Sequence, residues 1–284
     1  MLFRFKGRSL DCSKKKTFLM GILNVTPDSF SDGGAFFSPS CAIKHGVEMI
    51  DCGADIIDIG GESTRPGAEE LTFDEEVSRV LPVIQGIKSH RPEAIISIDT
   101  RKPNVANVAI KAGADIINDI SGLAYSEEIA DIAARTGAGL ILMHMRGNPQ
   151  TMLEPSNLEY NSLIDEVKGA LMNSVAIAME AGVSREQIVL DPGVGFSKNC
   201  GQNIELLHNI SSFNEFGYPI LVGHSRKSFI GQVLSEPEPS KRVAGTLGVS
   251  AWLLSQDVNF LRVHDLVETK QLVTMFNKCR FLND

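Results

Sequence analysis

The chain has 284 residues, 43% of them hydrophobic and 22% charged, a balance that excludes a disordered, collagenous or fibrous protein and leaves ample apolar surface for a core. Acidic residues outnumber basic ones by 35 to 27, a net charge of −8. Nucleic-acid binders carry a basic stripe instead, so nucleic acid is not an expected partner. No apolar run approaches the ~18 residues of a membrane span. Met1-Leu-Phe-Arg-Phe-Lys-Gly-Arg8 lacks the apolar core of a signal peptide. No membrane partner is expected, and the expected compartment is the cytoplasm. Cys12, Cys41, Cys52, Cys200 and Cys279 are scattered with no C-x-x-C among them, which favours reduced thiols over disulfides or a cysteine metal site.

Phe3 and Phe5 alternate with polar residues before a turn at Gly7, which predicts an N-terminal β-hairpin extension over residues 1–16, plugging the bottom of the fold. A strand follows at Phe18–Asn24 and a helix at Ala42–Cys52, with Ile43, Val47 and Ile50 on one face. Next come a strand at Asp55–Gly60 and a helix at Asp74–His90 carrying Val77, Val80, Leu81 and Ile84. The alternation continues with strand Ile95–Asp99, helix Asn104–Ala112, strand Asp115–Asn118 and helix Glu127–Thr136. Strand Gly139–His144, helix Leu163–Ala181, strand Ile188–Asp191 and helix Ile204–Phe213 come next. Strand Pro219–Gly223, helix Ser240–Ser255, strand Phe260–His264 and helix Val267–Asn277 complete the series. The strand runs are nearly continuous and rich in β-branched residues, as strands buried on both faces are. Glycines 113, 137 and 182 stop three of the helices.

About eight strand–helix alternations predict an α/β fold with a parallel sheet closed on itself, a (β/α)8 TIM barrel. The length would suggest about two domains, but such barrels run to about 250 residues or more as one. No linker or low-complexity segment divides the chain, so residues 1–284 are expected to form a single domain. Gly53-Ala-Asp-Ile-Ile-Asp58 is echoed by Gly113-Ala-Asp-Ile-Ile-Asn118, marking equivalent entries from helix into strand.

In such barrels the active site lies at the C-terminal strand ends. There stand Asn24, Gly60-Gly-Glu-Ser-Thr-Arg65, Asp99, Asn118, Met143-His144, Asp191, His224-Ser-Arg-Lys227, and Arg262 with His264. One polar residue at a strand end is usually a cap or a turn; a ring of them points to a site. The loops Val25–Ser38 and Gly61–Glu70 are long and rich in glycine, serine and aspartate, as lids and binding loops are. Phe30, Phe36 and Phe37 in the first need something to cover.

Asn24-Val-Thr-Pro-Asp-Ser-Phe-Ser-Asp-Gly-Gly34 and Gly60-Gly-Glu-Ser-Thr-Arg-Pro-Gly67 resemble two signatures of the dihydropteroate synthase family. Ile98-Asp-Thr100, Ile117-Asn-Asp-Ile120, Leu190-Asp-Pro-Gly-Val-Gly-Phe196, Ser225-Arg-Lys-Ser-Phe229 and Arg262-Val-His-Asp265 match that family in order, from about Phe18 to the end of the chain. The resemblance implies a folate-biosynthesis transferase. It would join 6-hydroxymethyl-7,8-dihydropterin pyrophosphate to 4-aminobenzoate and release pyrophosphate.

A flat pterin with donors and acceptors around its edge needs buried carboxylates and amides, which discriminate because a poor ligand leaves them unpaired. By the resemblance, Asp191 pairs with the aminopyrimidine edge, Asn118 and Asp99 bond the ring, and Met143 and Phe196 pack its faces. Read without the resemblance, Met143 serves equally well as barrel core. Lys227 has two readings: Schiff-base formation, or hydrogen bonding to the pterin near the aminobenzoate, which the family favours. Ser228 resembles the residue that takes the aminobenzoate carboxylate at a helix N-terminus. Phe36, Thr64, Arg65, Pro66, Lys227 and Ser228 are expected around the aminobenzoate.

Asn24, Thr64, Arg65, Arg262 and His264 are expected to meet the pyrophosphate, with Mg2+ bridging Asn24 and phosphate oxygens. Asn24 alone is a thin metal site, so the ion would depend on substrate. The expected chemistry is a loose, carbocation-like substitution at the pterin methylene, with Asp99 stabilising the cation and Lys227, Asn24 and Arg65 assisting. Sulfonamides, as mimics of 4-aminobenzoate, would compete.

A pterin-binding methyltetrahydrofolate:corrinoid methyltransferase would share the barrel and pocket but would not need the Ser-Thr-Arg-Pro loop or Ser225–Ser228. A non-catalytic pterin carrier would not need Asn24, Arg65 or His264. His224 reads as a neutral core histidine or as a neighbour of the lysine turn. Arg242–Leu254 is apolar with small residues; it would pack on the barrel, or, as the family implies, join a homodimer.

Overall fold

The computed structural model describes residues 1–12, 16–26 and 38–281. Strands β1 (Leu2–Phe5) and β2 (Arg8–Asp11) pair as an antiparallel hairpin. The barrel strands are β3 (Phe18–Asn24), β4 (Ile56–Gly60), β5 (Ile96–Asp99), β6 (Ile116–Asp119) and β7 (Gly139–Met143). They continue with β8 (Ile188–Asp191), β9 (Leu221–Gly223) and β10 (Phe260–Val263). These strands form one parallel sheet in the order β8-β7-β6-β5-β4-β3-β10-β9. A parallel bridge from Leu190 to Ile220 joins the two end strands and closes the barrel.

Outside it run α1 (Pro39–Asp51), α2 (Phe73–His90), α3 (Pro103–Lys111), α4 (Glu128–Thr136), α5 (Pro155–Leu158) and α6 (Leu163–Glu180). They are followed by α7 (Cys200–His208), α8 (Ser228–Leu234), α9 (Val243–Ser255) and α10 (Leu266–Arg280). The eight predicted strands and the TIM-barrel fold are therefore observed. Among the described residues no helix is long and apolar enough to cross a membrane.

The expected helix Ile204–Phe213 is instead α7 followed by a 3-10 turn, Ile210–Phe216. The break falls at Asn209, whose side-chain amide donates back to Glu205 O at 2.9 Å, an alternative to continuing the helix. Likewise Pro239–Arg242 is 3-10 and α9 begins only at Val243. Periodicity missed α5 and α8, which are too short to show a repeat.

Strand residues on alternate faces have different partners. Ile57, Ile59, Ile98, Ile117, Leu140 and Leu142 face the helices and pack with Val83, Ile84, Val105 and Ile129. Ile56, Ile116, Ile141, Val189, Leu221 and Phe260 face inward and form a floor with Phe3 and Phe5 of the hairpin. The hairpin plugs the barrel at its N-terminal end, as predicted. Gly139 is required there: a Cβ would stand 2.5 Å from the Phe3 ring.

The echoed segments do the same job twice. Asp55 accepts from Leu19 N–H of the preceding strand at 2.9 Å, and Asp115 accepts from Ile96 N–H of its own preceding strand at 3.0 Å. Three residues later, Asp58 and Asn118 both enter the barrel, above the apolar floor.

Candidate active site

The barrel interior turns polar in its upper half because β4, β5, β6, β8 and β10 each place one charged or amide side chain there. Arg262 stands among them. Its Nε donates to Asp58 Oδ2 and its Nη2 to Asp99 Oδ2, both at 2.6 Å. Asn118 Nδ2 donates to the same Asp58 oxygen at 3.1 Å. Asp58, Asp99 and Asn118 are all buried. One carboxylate oxygen on each aspartate, Oδ1 of Asp58 and of Asp99, is buried without a hydrogen-bond partner. Buried acceptors without donors are costly and call for a ligand, a water or an ion. Burial raises the Asp99 carboxyl above its usual range, against the pull of Arg262.

Asp191, at the end of β8, accepts from Gly193 N–H at 2.8 Å. Burial pushes its carboxyl up to about 6, with the Gly193 amide and then Lys227 and Arg262 opposing. Lys227 lies across from it with its Nζ 3.8 Å from the centre of the Phe196 ring, a cation–π contact. Burial and the neighbouring Arg262 press the half-buried Lys227 ammonium down to about 8. Met143 and Phe196 belong to one small apolar cluster with Ile120 and Met152. An apolar wall thus faces the polar group.

The turn carrying Lys227 is held from behind. Arg226 has a left-handed backbone, φ 57°, and its guanidinium grips Asp265 through Nε at 3.0 Å and through Nη2. Its amide donates to Thr246 Oγ1 at 3.0 Å. His224 is fully buried and shares a 2.7 Å bond through Nε2 with Ser250 Oγ. Burial depresses it to about 4, so it is a neutral core histidine beneath the lysine turn. His264 Nδ1 meets Ser225 Oγ at 3.0 Å. Ser228 is exposed and opens α8.

Asn24 is half-buried at the end of β3 and in register with Gly60. The loop after β4 places Thr64 half-buried and leaves Arg65 and Pro66 exposed; none of these side chains joins the bonded group around Arg262. The root of that loop is a buried ion cluster. Glu62 pairs with Arg101 at 3.3 Å and with Lys102, and Lys102 reaches Glu76 at 2.7 Å. Glu62 Oε2 also accepts from Leu71 N–H at 2.8 Å, closing the loop on itself. The ring of Tyr125 lies against the Arg101 guanidinium, 4.8 Å from its centroid, and its hydroxyl donates to Glu70 at 3.0 Å. Phe36, with the other phenylalanines of the first long loop, lies outside the described residues.

The model of the pterin binding enzyme family matches residues 20–264. A dihydropteroate synthase from Synechocystis is 47% identical over 267 residues, covering 94% of this chain and 91% of its own.

The chain belongs to the dihydropteroate synthase family.

Solved synthases superpose on it closely. One from Yersinia pestis, in complex with a sulfonamide drug, has a TM-score of 0.90 at 39% identity and covers 99% of both chains. One from Clostridium difficile, determined in the presence of pteroic acid, has a TM-score of 0.87 at 43% identity, covering 94% of this chain and 98% of its own.

Within this synthase barrel, Asp99, Asn118 and Arg262 are brought into one bonded group, and Lys227 meets Phe196. Asp58 joins them as the shared acceptor, and sequence reasoning passed over it. Its signal was present: the echo aligns Asp58 with Asn118, and the two side chains bond each other. Glu62, Glu76, Arg101, Lys102 and Tyr125 were also passed over. Glu62 lies within the quoted Gly60–Gly67 segment but was given no role there, the other four carry no motif, and the pairing depends on how the loop after β4 lies against α3. Among the described residues no cluster of three or more histidine, cysteine or acidic side chains is arranged to hold a metal ion.

Proposed function

We propose that this chain condenses 6-hydroxymethyl-7,8-dihydropterin pyrophosphate with 4-aminobenzoate, releasing pyrophosphate and giving 7,8-dihydropteroate for folate biosynthesis. The observation that carries this reading is the buried group Asp58–Arg262–Asp99–Asn118, with its two unpartnered carboxylate oxygens, in a chain of this family. Such acceptors suit the N–H groups of a pterin edge, and the Met143–Phe196 wall suits its faces. In this reading Asp191 binds the aminopyrimidine edge, Asn118 and Asp99 bond the ring, and Lys227 reaches the pterin from above Phe196.

The reaction breaks the bond from the pterin methylene to the pyrophosphate oxygen, and the electron pair leaves with pyrophosphate. The electron-rich ring spreads the positive charge. Asp99, buried among fixed dipoles, stabilises that charge without reorganising, the kind of effect worth several kcal/mol in a dry site. The aminobenzoate nitrogen then bonds the methylene carbon and loses a proton. Thr64, Arg65 and Pro66, with Phe36 from the first long loop, would close over the aminobenzoate and exclude water that could trap the cation. Ser228 and Lys227 would meet its carboxylate end. Asn24, Thr64, Arg65, Arg262 and His264 would receive the pyrophosphate.

Magnesium fits this site only together with substrate. Asn24 would hold the ion through its neutral side-chain oxygen, and substrate and water would supply the other oxygen ligands such an ion prefers. When bound it would offset charge on the leaving group. We further propose a single-domain, cytoplasmic homodimer that uses α9 and its exposed apolar neighbours, and competition by sulfonamides at the aminobenzoate site.

The test is incubation of purified protein with both substrates and Mg2+, following dihydropteroate by chromatography. Product that requires both substrates and disappears in Lys227→Ala and Asp99→Ala is expected. Intact pterin binding without product would favour a methyltransferase or a non-catalytic carrier.

A further inference from the structure

Lys198 is buried, only 4% exposed, and stands outside every role assigned above. Its Nζ lies 3.0 Å from Gly193 O, 3.0 Å from Phe196 O and 3.0 Å from His144 Nδ1. An ammonium has three protons and accepts nothing, so all three protons are placed. His144 Nδ1 must then accept, which puts that ring's own proton on Nε2. Burial depresses His144 to about 2, so it stays a neutral acceptor.

These three acceptors satisfy the protons of Lys198 but supply no counter-charge. A buried charge that is merely solvated by carbonyls is costly unless an opposite charge offsets it. The carboxylate that feels it is Asp191. The loop between them admits little movement. His144 N–H donates to Asp191 O at 2.9 Å, and Gly193 (φ +74°) is so close to β7 that a Cβ would lie 1.9 Å from His144 O. Asn203 takes Gly195 N–H at 2.6 Å and returns a bond to Lys198 O at 3.0 Å. Gly195 in turn packs on the Lys227 stem, where a Cβ would meet Cδ at 2.7 Å. The carbonyls tied by Lys198 are those at the two ends of the Gly193–Phe196 segment.

We propose that Lys198 is a positioning residue for pterin binding: its ammonium ties the Gly193–Phe196 segment to His144 and sets Phe196 beneath Lys227. This rests on the synthase reading of the pocket. The charged groups acting on Asp191 are Lys198 from its own loop, Lys227 from the turn after β9 and Arg262 from β10. Arg146, on the loop after β7, acts on Lys198. Removing Lys198 leaves Asp191 with two cations instead of three, so its carboxyl rises and more acid-sensitive binding follows.

The experiment is calorimetric titration of 6-hydroxymethyl-7,8-dihydropterin into the full chain and into Lys198→Met, from pH 5 to 8. Burial presses the Lys198 ammonium down to about 7, with Asp191 opposing, so the comparison is made at pH 6.5, where the amine is charged; there the variant is expected to bind about tenfold or more weakly, as loss of bonds from a charged donor implies. Its acid midpoint is expected to move up by about one pH unit. If Lys198→Met melts earlier yet binds within about twofold with an unmoved midpoint, Lys198 is only structural and the proposal fails. Should Lys198→Met not fold, the same titration on two His144 variants decides. His144→Asn keeps an acceptor near the Nδ1 position and should bind like the parent. His144→Phe removes it and should bind several-fold more weakly, and equal binding by both overturns the proposal. Failure of the parent chain itself to bind the dihydropterin would refute the synthase reading instead.

Discussion

Asp99 and Asp191 are both buried carboxyls raised above their ordinary range, yet their surroundings differ. Asp99 is tied to Arg262, while Asp191 meets a backbone amide and faces Lys227. That difference separates their roles. Asp99→Asn keeps the shape and a hydrogen-bonding group but loses the charge opposite a developing cation. It is expected to lower kcat by about 10²–10³-fold while leaving dihydropterin affinity within about threefold, measured by steady-state kinetics and calorimetry. Equal losses in both would make Asp99 a binding residue alone. The carboxylate form of Asp191 binds the aminopyrimidine edge, and the carboxyl takes up its proton at about 6. Dihydropterin affinity should therefore fall by about tenfold per unit below that pH, a fall that Asp191→Asn should abolish. A flat profile down to pH 4.5 would show that Asp191 is not the group that binds that edge.

The loop from β4 to α2 is rooted at one end and exposed at its tip. Thr72 caps α2 with a reciprocal Thr72–Glu75 box, which fixes where the loop ends. Glu62, Arg101, Lys102 and Glu76 fix where it begins. Between these anchors, Arg65 and Pro66 are exposed. Glu62→Gln keeps the bulk but leaves Arg101 and Lys102 short of a negative partner, so the root loosens. The expected effect is a loss of about tenfold or more in kcat/KM for 4-aminobenzoate, as a displaced positioning loop costs, with dihydropterin affinity unchanged. A parallel loss of pterin binding would mean that the cluster supports the whole barrel mouth. This element was half legible in the sequence. Its composition marked it as a functional loop, but the salt bridges at its root join residues about 40 positions apart, and no local pattern records them.

Across the whole molecule the barrel is plugged at one end by Phe3 and Phe5 and opens its polar interior at the other. On its flank α9 exposes Ala244, Gly248 and Trp252, with Ile204, Val267 and Met275 exposed on neighbouring helices. Trp252 stacks on His208 and donates to Leu207 O at 2.7 Å, so the indole is held in place while staying 42% exposed. An apolar, pre-positioned patch of this kind suits association. Sedimentation of the chain is expected to give a dimer, and Trp252→Glu a monomer that still binds dihydropterin. A monomeric parent would remove the dimer from the proposal without touching the active site.

What the sequence determined by itself was the alternation of eight buried strands with helices, the hairpin plug and most of the residues at the barrel mouth. Those signals are local: strands buried on both faces are continuous apolar runs, and each ends where its polar residue begins. The tertiary structure alone decided which mouth residues touch. Arg262 meets Asp58 across 204 residues and Asp99 across 163, and Lys198 meets His144 across 54. These partners become neighbours only because β10 pairs with β3 and β7 with β8 as the sheet closes into a barrel. A buried charge takes whichever partner closure presents, and that depends on the register of strands far apart in the chain.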